Sequence, residues 1–501
     1  MNIATLLVRA TQIAPENPAL AIGSEPIASY TELLERVRRL AGGLRSRNIQ
    51  SGSRVALFAG NRADYIEVML ATWWVGATVV PINAKLARPE LDVILDLARP
   101  ELLMIAEDTA EVAFDLDAIT LGGDAFDALR SHAPSGEAPE PRSADDCAWL
   151  FFTSGTTGTP KGAMISHGNL LSMTQGYLSD VDDIPVGAAL IHFAPISHGS
   201  GIYILPFLAR AGISVVGPTP RMTPDVFFDL VAAWPEASLF AAPTIVTRLA
   251  ETARDVRPDL SNLRTIVCGG GPLYLTDLKQ AYGALGPVFA QIYGQGECPM
   301  TITAQSRREM TTALLGGDDA YLKTVGRPFI GTELRITKTD GRACDVGETG
   351  EVLVRSPTVI PGYWKKPDAT AETIQDGWLY TGDLGRLDAR GCLTLDGRSK
   401  EVIISGGSNV YPIEVEAVLL QHPDVAAAAV MGRPDPQWGE TVTAFIALQD
   451  RTVRDLSQDL DAFCAKRIAR FKCPKRYLFR TSLPTNAYGK IAKRELVAET
   501  D

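Results

Sequence analysis

From residue 54 onward, short runs of branched and aromatic residues alternate with longer runs whose apolar positions recur every three to four residues. Residues 54–58 read as a buried strand, 64–75 as a helix and 77–82 as another strand, and the same succession returns at 263–267, 276–285 and 288–292. Strands that follow one another through helices are joined by crossovers, so the alternation predicts an α/β chain with a mostly parallel sheet and helices on its faces.

The chain has 501 residues, room for about three domains or large subdomains. Apolar residues make up 46% and charged residues 21%, ordinary globular usage that excludes a disordered chain or a coiled coil as the whole answer. The net charge of −11 argues against nucleic acid as a partner. Seven cysteines fall at 147, 268, 298, 344, 392, 464 and 473 without a CxxC or CxxH pairing, which argues against a zinc site or a disulfide framework and suits a reducing compartment. The best apolar run, 68–82, contains Thr72, Gly76, Thr78 and Pro81 and is too short to span a bilayer, which takes roughly 20 residues. Ile3, Leu6, Leu7, Ala10 and Ile13 predict an amphipathic helix at the start. Arg9 and Glu16, with no compact apolar block, do not make a signal peptide, and the final Glu499-Thr500-Asp501 is no peroxisomal address. A cytoplasmic protein is the expectation. Residues 131–146, polar and Pro-rich, read as a surface connection, and no internal repeat is visible.

A boundary falls near residue 400. Before it Gly382, Gly385, Gly391 and Gly397 punctuate what read as short β runs; after it strand and helix patterns alternate over about 100 residues. The last 36 residues carry ten basic and three acidic side chains, so a small domain with one basic end follows a large acidic one.

The sharpest local feature is TSGTTGTPKG at 153–162, entered from the strand-like AWLFF. Gly155, Gly158 and Gly162 allow a backbone to approach an anion closely. The hydroxyls of Thr153, Ser154, Thr156 and Thr157 can bond phosphate oxygens or a metal, and Lys161 supplies charge. The spacing is not that of a Walker loop. Five further motifs follow in order: CGGGP (268–272), IYGQGE (292–297), LYTGDLG (379–385), GRSKEVIISGGSNVYPIEVE (397–416) and PTNAYGK (484–490).

With these motifs in this order and spacing the chain resembles the adenylate-forming superfamily of acyl- and aryl-CoA synthetases, luciferases and peptide-synthetase adenylation domains, from about residue 10 to 497. The resemblance implies a large N-terminal domain (1–397) of parallel-sheet α/β subdomains plus a β-barrel-like subdomain, a hinge at 398–402, and a small mobile C-terminal α+β domain (403–501). It implies a two-step reaction in which ATP and a carboxylate give an acyl-adenylate and pyrophosphate, and a thiol then displaces AMP. A carboxylate attacking an α-phosphate is a meeting of two anions, so positive charge has to gather there.

Lys490 is, by the resemblance, the lysine that bridges carboxylate and α-phosphate. Glu297 would hold Mg²⁺, a hard cation that takes carboxylate and phosphate oxygens, with Thr157 completing the metal contacts. The loop Thr153, Ser154, Gly155, Thr156, Thr157, Gly158 and Lys161 would hold phosphate. Asp383 would accept the ribose hydroxyls with Arg398 in support. Tyr293 would offer its ring to adenine, Gly269, Gly270 and Gly271 would lie against the base, and Gln291 would reach its edge, with Gly294 in the same motif. Gly296 stands where the family usually has Thr or Ser, whose hydroxyl meets the α-phosphate; such a contact is worth about 1 to 3 kcal/mol.

His198, in PISHGSG, matches the histidine or aromatic at the mouth of the acyl pocket, and the absence of an Asp there disfavours an amino-acid substrate. Ala241, Ala242, Gly269, Gly296, Cys298 and Met300 are the expected pocket wall; small residues leave volume and Met adapts its shape, so an aromatic or otherwise bulky acid is favoured over acetate. His167 and His192 read as core residues. Lys400 occupies the hinge position, about which the small domain would swing to withdraw Lys490 and bring Gly406 and Gly407 forward as a thiol channel. The basic run that includes Lys472, with Phe471 and Trp438, would meet coenzyme A. The sequence thus points to an AMP-forming acid–thiol ligase using ATP, Mg²⁺ and CoA. It leaves open a carrier-protein pantetheine arm as acceptor, a medium- or long-chain fatty acid as substrate, a homodimer, and an inert nucleotide-binding regulator of the same fold.

Overall fold

The computed structural model describes residues 1–109, 116–153, 160–219, 222–405, 408–436, 438–486 and 491–498. It is α/β, as expected. Two sheets with parallel centres build the large N-terminal part. In the first, strands run in the order Ala118–Thr120, Leu102–Ile105, Arg54–Ala59, Thr78–Asn83, Cys147–Thr153 and Lys161–Ser166, and only the last is antiparallel to its neighbour. The second has nine strands. Its centre is parallel from Pro18–Ile22 through Ile213–Val216, Ala189–Ile191, Ala237–Ala241 and Leu263–Cys268 to Phe289–Gln295. Antiparallel strands Glu25–Ser29, Cys298–Gln305 and Arg327–Pro328 finish its edges.

The crossover helix Ala63–Trp74 is buried at every position except Asp64. A helix apolar on all sides belongs between layers rather than on a surface, and here Trp73 packs at 6.2 Å from Trp149 of the central strand. Its one buried charge, Glu67, is held by Arg130 at 2.7 Å and Arg36 at 3.3 Å. Burial raises its carboxyl pKa and the two arginines pull it back, so the pair is a fold requirement rather than a net gain in stability.

The expected barrel-like part is a five-stranded antiparallel sheet of Glu333–Thr337, Gly350–Arg355, Ile374–Gln375, Trp378–Leu387 and Leu393–Arg398. Its glycines do not cut it into short runs: Trp378–Leu387 is one ten-residue strand running through Gly382 and Gly385. Gly382 sits at φ +68°, and a Cβ on Gly385 would lie 2.6 Å from the Thr394 carbonyl oxygen. Glycine here permits a kink and a close strand approach; it does not end the strand.

The 3₁₀ turn Ser399–Glu401 leads from that sheet into the small domain. There the long hairpin Val425–Asp435 and Gly439–Leu448 carries Arg476–Arg480 in parallel on one side, with Ile403–Ser405 and Ser408–Val410 on the other. Helices Pro412–Leu419 and Ser457–Ala465 cover a core that includes Val415, Leu419, Val430, Val442, Ile446 and Leu460. Among the described residues no helix is long and apolar enough to cross a membrane.

Candidate active site

The strand Phe289–Gln295 ends in a turn, Gly296-Glu297, and returns as Cys298–Gln305. Beside that turn runs Trp378–Leu387, whose Asp383 is 6% exposed. The Tyr293 hydroxyl donates to Asp383 Oδ2 at 2.5 Å, and Gln295 Nε2 donates to the same oxygen and to the Thr381 carbonyl at 3.1 Å. Arg398 pairs with Asp383 in the strand register and lies 2.6 Å from Oδ1 through Nε. Three donors on one nearly buried carboxylate, each bond worth about 1.5 to 3 kcal/mol when charge-assisted, make a rigid acidic centre. Tyr293 is itself buried, and burial together with the charge of Asp383 raises its phenol pKa, so it stays a donor. Gln295 escaped the sequence reading; it lies two positions along the strand from Tyr293, and the period of two would have pointed to it.

Glu297 stands on the turn, half-buried, with Oε1 accepting from the Tyr363 hydroxyl at 2.6 Å. Among the described residues no cluster of three His, Cys, Asp or Glu side chains could cage a metal. A single carboxylate with an oxygen to spare nevertheless fits Mg²⁺, which keeps most of its shell as phosphate oxygens and water.

Gln291 is buried deeper in the same strand, with Nε2 3.5 Å from the Thr324 carbonyl and Oε1 without a partner. Gly269 follows the strand Leu263–Cys268 and is buried: a Cβ there would lie 2.5 Å from Ile292 Cδ1. Gly270, at φ +83°, and Gly271 are exposed. At Gly294 a Cβ would meet the Met300 backbone at 2.5 Å, so the hairpin needs glycine there. Thr153 ends its strand paired with Lys161. Ser154, Gly155, Thr156, Thr157 and Gly158 lie outside the described residues.

His198 precedes the short helix Gly199–Ile202, its ring edge-on to Phe151 at 5.0 Å and its Nδ1 3.2 Å from the Ser197 hydroxyl. A Cβ on Gly199 would come within 2.7 Å of the Phe240 ring and 2.9 Å of the Met300 methyl, so His198, Gly199, Phe240 and Met300 form one wall. Phe240 was not anticipated; it adjoins Ala241, which ends the strand and accepts from the Gly269 amide at 3.2 Å, and Ala242 follows as the cap of helix Pro243–Val256. Cys298 does not join this wall. It is fully buried against Thr358 and Thr301, in a core shared with Ile302 and Val352, and burial raises its thiol to about 11. His192 and His167 are buried; the first lies 2.7 Å through Nδ1 from the Ser200 hydroxyl, and the Nδ1 of the second accepts from the Ile3 amide.

In the small domain Trp438 and Phe471 are exposed, and the Lys475 ammonium sits 3.2 Å from the centroid of the Trp438 ring. Lys472 is less available than its place in a basic run suggested: Glu414 holds it at 2.7 Å and 2.8 Å. Lys400 lies in the exposed turn joining the domains; Gly406, Gly407 and Lys490 lie outside the described residues. Lys493 is 2.9 Å from Glu416 and 3.3 Å from Glu401. Burial works against its charge, but the two carboxylates outweigh it and raise its pKa. Glu416 also accepts from the Tyr274 hydroxyl at 3.1 Å, and Tyr274 belongs to the large domain. The turn Ser399–Glu401 and the large domain are thereby tied to the last helix through Lys493 and the buried Glu416 carboxylate.

The family model of AMP-binding enzymes matches residues 7–364, and that of the AMP-binding enzyme C-terminal domain matches residues 414–490. A feruloyl-CoA synthase of an Amycolatopsis species is 35% identical over 98% of this chain and 97% of its own length. A fatty acid–acyl-carrier-protein ligase of Streptomyces coeruleorubidus is 31% identical over 97% of this chain and 94% of its own. The solved o-succinylbenzoate CoA synthetase of Bacillus subtilis, in complex with its acyl-adenylate intermediate, superposes with a TM-score of 0.85 at 27% identity, covering 98% of this chain and 97% of that one.

Proposed function

Since the chain belongs to the AMP-binding enzyme family, we propose that it is an ATP-dependent acid–thiol ligase acting on an aromatic or similarly bulky carboxylic acid, with free CoA as the acceptor. In the first step a carboxylate oxygen attacks the α-phosphorus of ATP, the bond to the bridging oxygen breaks, and pyrophosphate leaves. In the second the CoA thiolate attacks the acyl carbonyl and AMP leaves with the electron pair of the carbon–oxygen bond. Glu297 would hold the Mg²⁺ of bound Mg-ATP, which would offset phosphate charge.

The observation that carries this reading is the strand end and turn at 293–297, which links both acidic groups: Tyr293 and Gln295 reach Asp383 while Glu297 stands two residues on. Asp383 with Arg398 serves the ribose, Glu297 the metal-bound phosphates, and Lys490 the point where the two anions meet. Tyr293 and the Gly269–Gly271 backbone serve adenine, with Gln291 at its edge. The phosphate loop from Thr153 through Thr157 to Lys161 cradles the leaving pyrophosphate. His198 with Phe151, Phe240 and Met300 would line the acyl site, and aromatic faces there would favour a flat ring over a flexible alkyl chain.

CoA is preferred to a carrier arm because exposed aromatic rings beside lysines, Trp438 with Lys475 and Phe471 with Lys472, suit a nucleotide with phosphates. The carrier-protein reading keeps one support, the similarity to the Streptomyces carrier-protein ligase. A cytosolic setting suits seven cysteines that are all free. The test is pyrophosphate release from Mg-ATP across benzoic, cinnamic, phenylacetic, polycyclic and straight-chain acids, each with and without CoA. Release for an aromatic class that rises with CoA is expected. Release indifferent to CoA would move the acceptor to a carrier protein, and silence across the panel would favour an inert nucleotide-binding protein.

A further inference from the structure

One segment outside all the sequence motifs touches both sides of the phosphate site. Residues 360–364, Ile-Pro-Gly-Tyr-Trp, lie along the strand Lys161–Ser166 that leaves the glycine-rich loop. The Met164 amide donates to the Gly362 carbonyl at 3.0 Å, the Trp364 amide donates to the Gly162 carbonyl at 2.8 Å, and Ala163 bridges Tyr363. From its other side the segment grips Glu297 twice. The Ile360 amide donates to the Glu297 carbonyl at 3.0 Å, and the Tyr363 hydroxyl donates to Oε1 of the side chain at 2.6 Å. The Lys161 ammonium lies 5.1 Å from the centroid of the Tyr363 ring.

Tyr363 is fixed from behind. It is 6% exposed, its amide donates to the Thr370 hydroxyl at 2.9 Å, and Gly362 before it sits at φ +154° with Thr370 filling the place of a Cβ. A donor on one carboxylate oxygen orients the other without cancelling its charge. Partners of this kind are worth about ten- to a hundredfold in metal affinity.

We propose that Tyr363 is a positioning residue that aims the free oxygen of Glu297 at the Mg²⁺ of bound Mg-ATP and locks that carboxylate to the strand carrying Lys161. The inference rests on the reading of Glu297 as the metal-side carboxylate. It is tested by calorimetric titration of ATP, with Mg²⁺ and with chelator, into the wild type, Tyr363→Phe and Glu297→Gln.

In the wild type Mg²⁺ strengthens ATP binding. In Tyr363→Phe that strengthening shrinks by about tenfold or more while metal-free ATP binds as before, and Glu297→Gln abolishes it. If Tyr363→Phe keeps the whole metal-dependent gain while Glu297→Gln loses it, the role of Tyr363 is overturned and that of Glu297 stands. If Glu297→Gln keeps the gain, the reading of Glu297 fails and takes the inference with it. An equal loss of metal-free and Mg²⁺-dependent binding in Tyr363→Phe makes the residue structural and also overturns the proposal.

Discussion

Around Asp383 three donors converge on a carboxylate that is 6% exposed, whereas Trp438 and Phe471 stand 40% and 46% exposed, the first beside Lys475 and the second beside a Lys472 that Glu414 already holds. The first region is finished before any ligand arrives: its geometry is set by strand register, by a buried phenol and by an arginine paired across two strands. The second offers faces and charges whose arrangement a ligand still has to complete. Preorganised charge stabilises a developing transition state, while an exposed aromatic face mainly adds affinity. Substitutions around Asp383 and at Lys490, in its proposed role, should therefore act on adenylation, and those on the small domain's exposed face on acceptor binding.

The sharpest way to break this contrast is Lys490→Ala. If Lys490 has its proposed role, loss of its charge should slow adenylation by about two to three orders of magnitude, as for other removed transition-state donors, and leave thiolysis of a supplied acyl-adenylate largely intact. Equal loss of both half-reactions, measured separately, would refute the division of labour. Next comes Asp383→Ala, which strands Tyr293, Gln295 and Arg398 together. The ATP requirement should rise by about ten- to a hundredfold and thermal stability should fall by about 1 to 3 kcal/mol. An unchanged ATP dependence in steady-state kinetics would remove Asp383 from the nucleotide site.

The buried side of the molecule also carries a cost in acid. Burial lowers the His192 pKa to about 3 and that of His167 to about 4, against an ordinary value near 6.5 in the unfolded chain. Above about pH 6.5 both histidines are neutral in either state and no penalty applies. As pH falls below that, the unfolded chain takes up protons the folded one refuses, so stability declines until the folded pKa values are reached. The two groups together amount to several kcal/mol, on the order of the linkage for shifts of this size. Melting temperature against pH should bend downward below about 6.5, and His192→Leu should flatten the bend by about one proton. An unaltered slope would contradict the assignment. The smallest effect belongs to the exposed face: Trp438→Ala should raise the KM for CoA by less than about tenfold, the range of one lost stacking contact, without touching pyrophosphate release.

The α/β class was legible because alternation is local: the crossover helix expected at 64–75 is Ala63–Trp74, and the strand at 263–267 is Leu263–Cys268. The acidic residues stood out for a similar reason, each within a short run of glycine and hydroxyl residues. What could not be read were contacts between distant segments. Tyr363 lies 66 positions from Glu297, and the two meet because segment 360–364 is held both to Lys161–Ser166 and, through the Ile360 amide, to the Glu297 carbonyl. Lys472 reads as one lysine among many until the fold sets Glu414, 58 positions away, against it. Cys298 follows Glu297 directly, yet it faces the opposite side of the hairpin, toward Thr358. Where a strand leaves a turn, the face its first residue takes depends on register.

On the proposed function, an acyl-adenylate forms on this protein before any thiol is engaged. A single-turnover reaction of enzyme, Mg-ATP and an aromatic acid without CoA, quenched and analysed by mass spectrometry, measures this directly. Acyl-AMP and pyrophosphate are expected in amounts matching the enzyme, with conversion of that acyl-AMP to acyl-CoA and AMP when CoA is added. Production of ADP and phosphate, or acyl-CoA appearing with no adenylate before it, would contradict it.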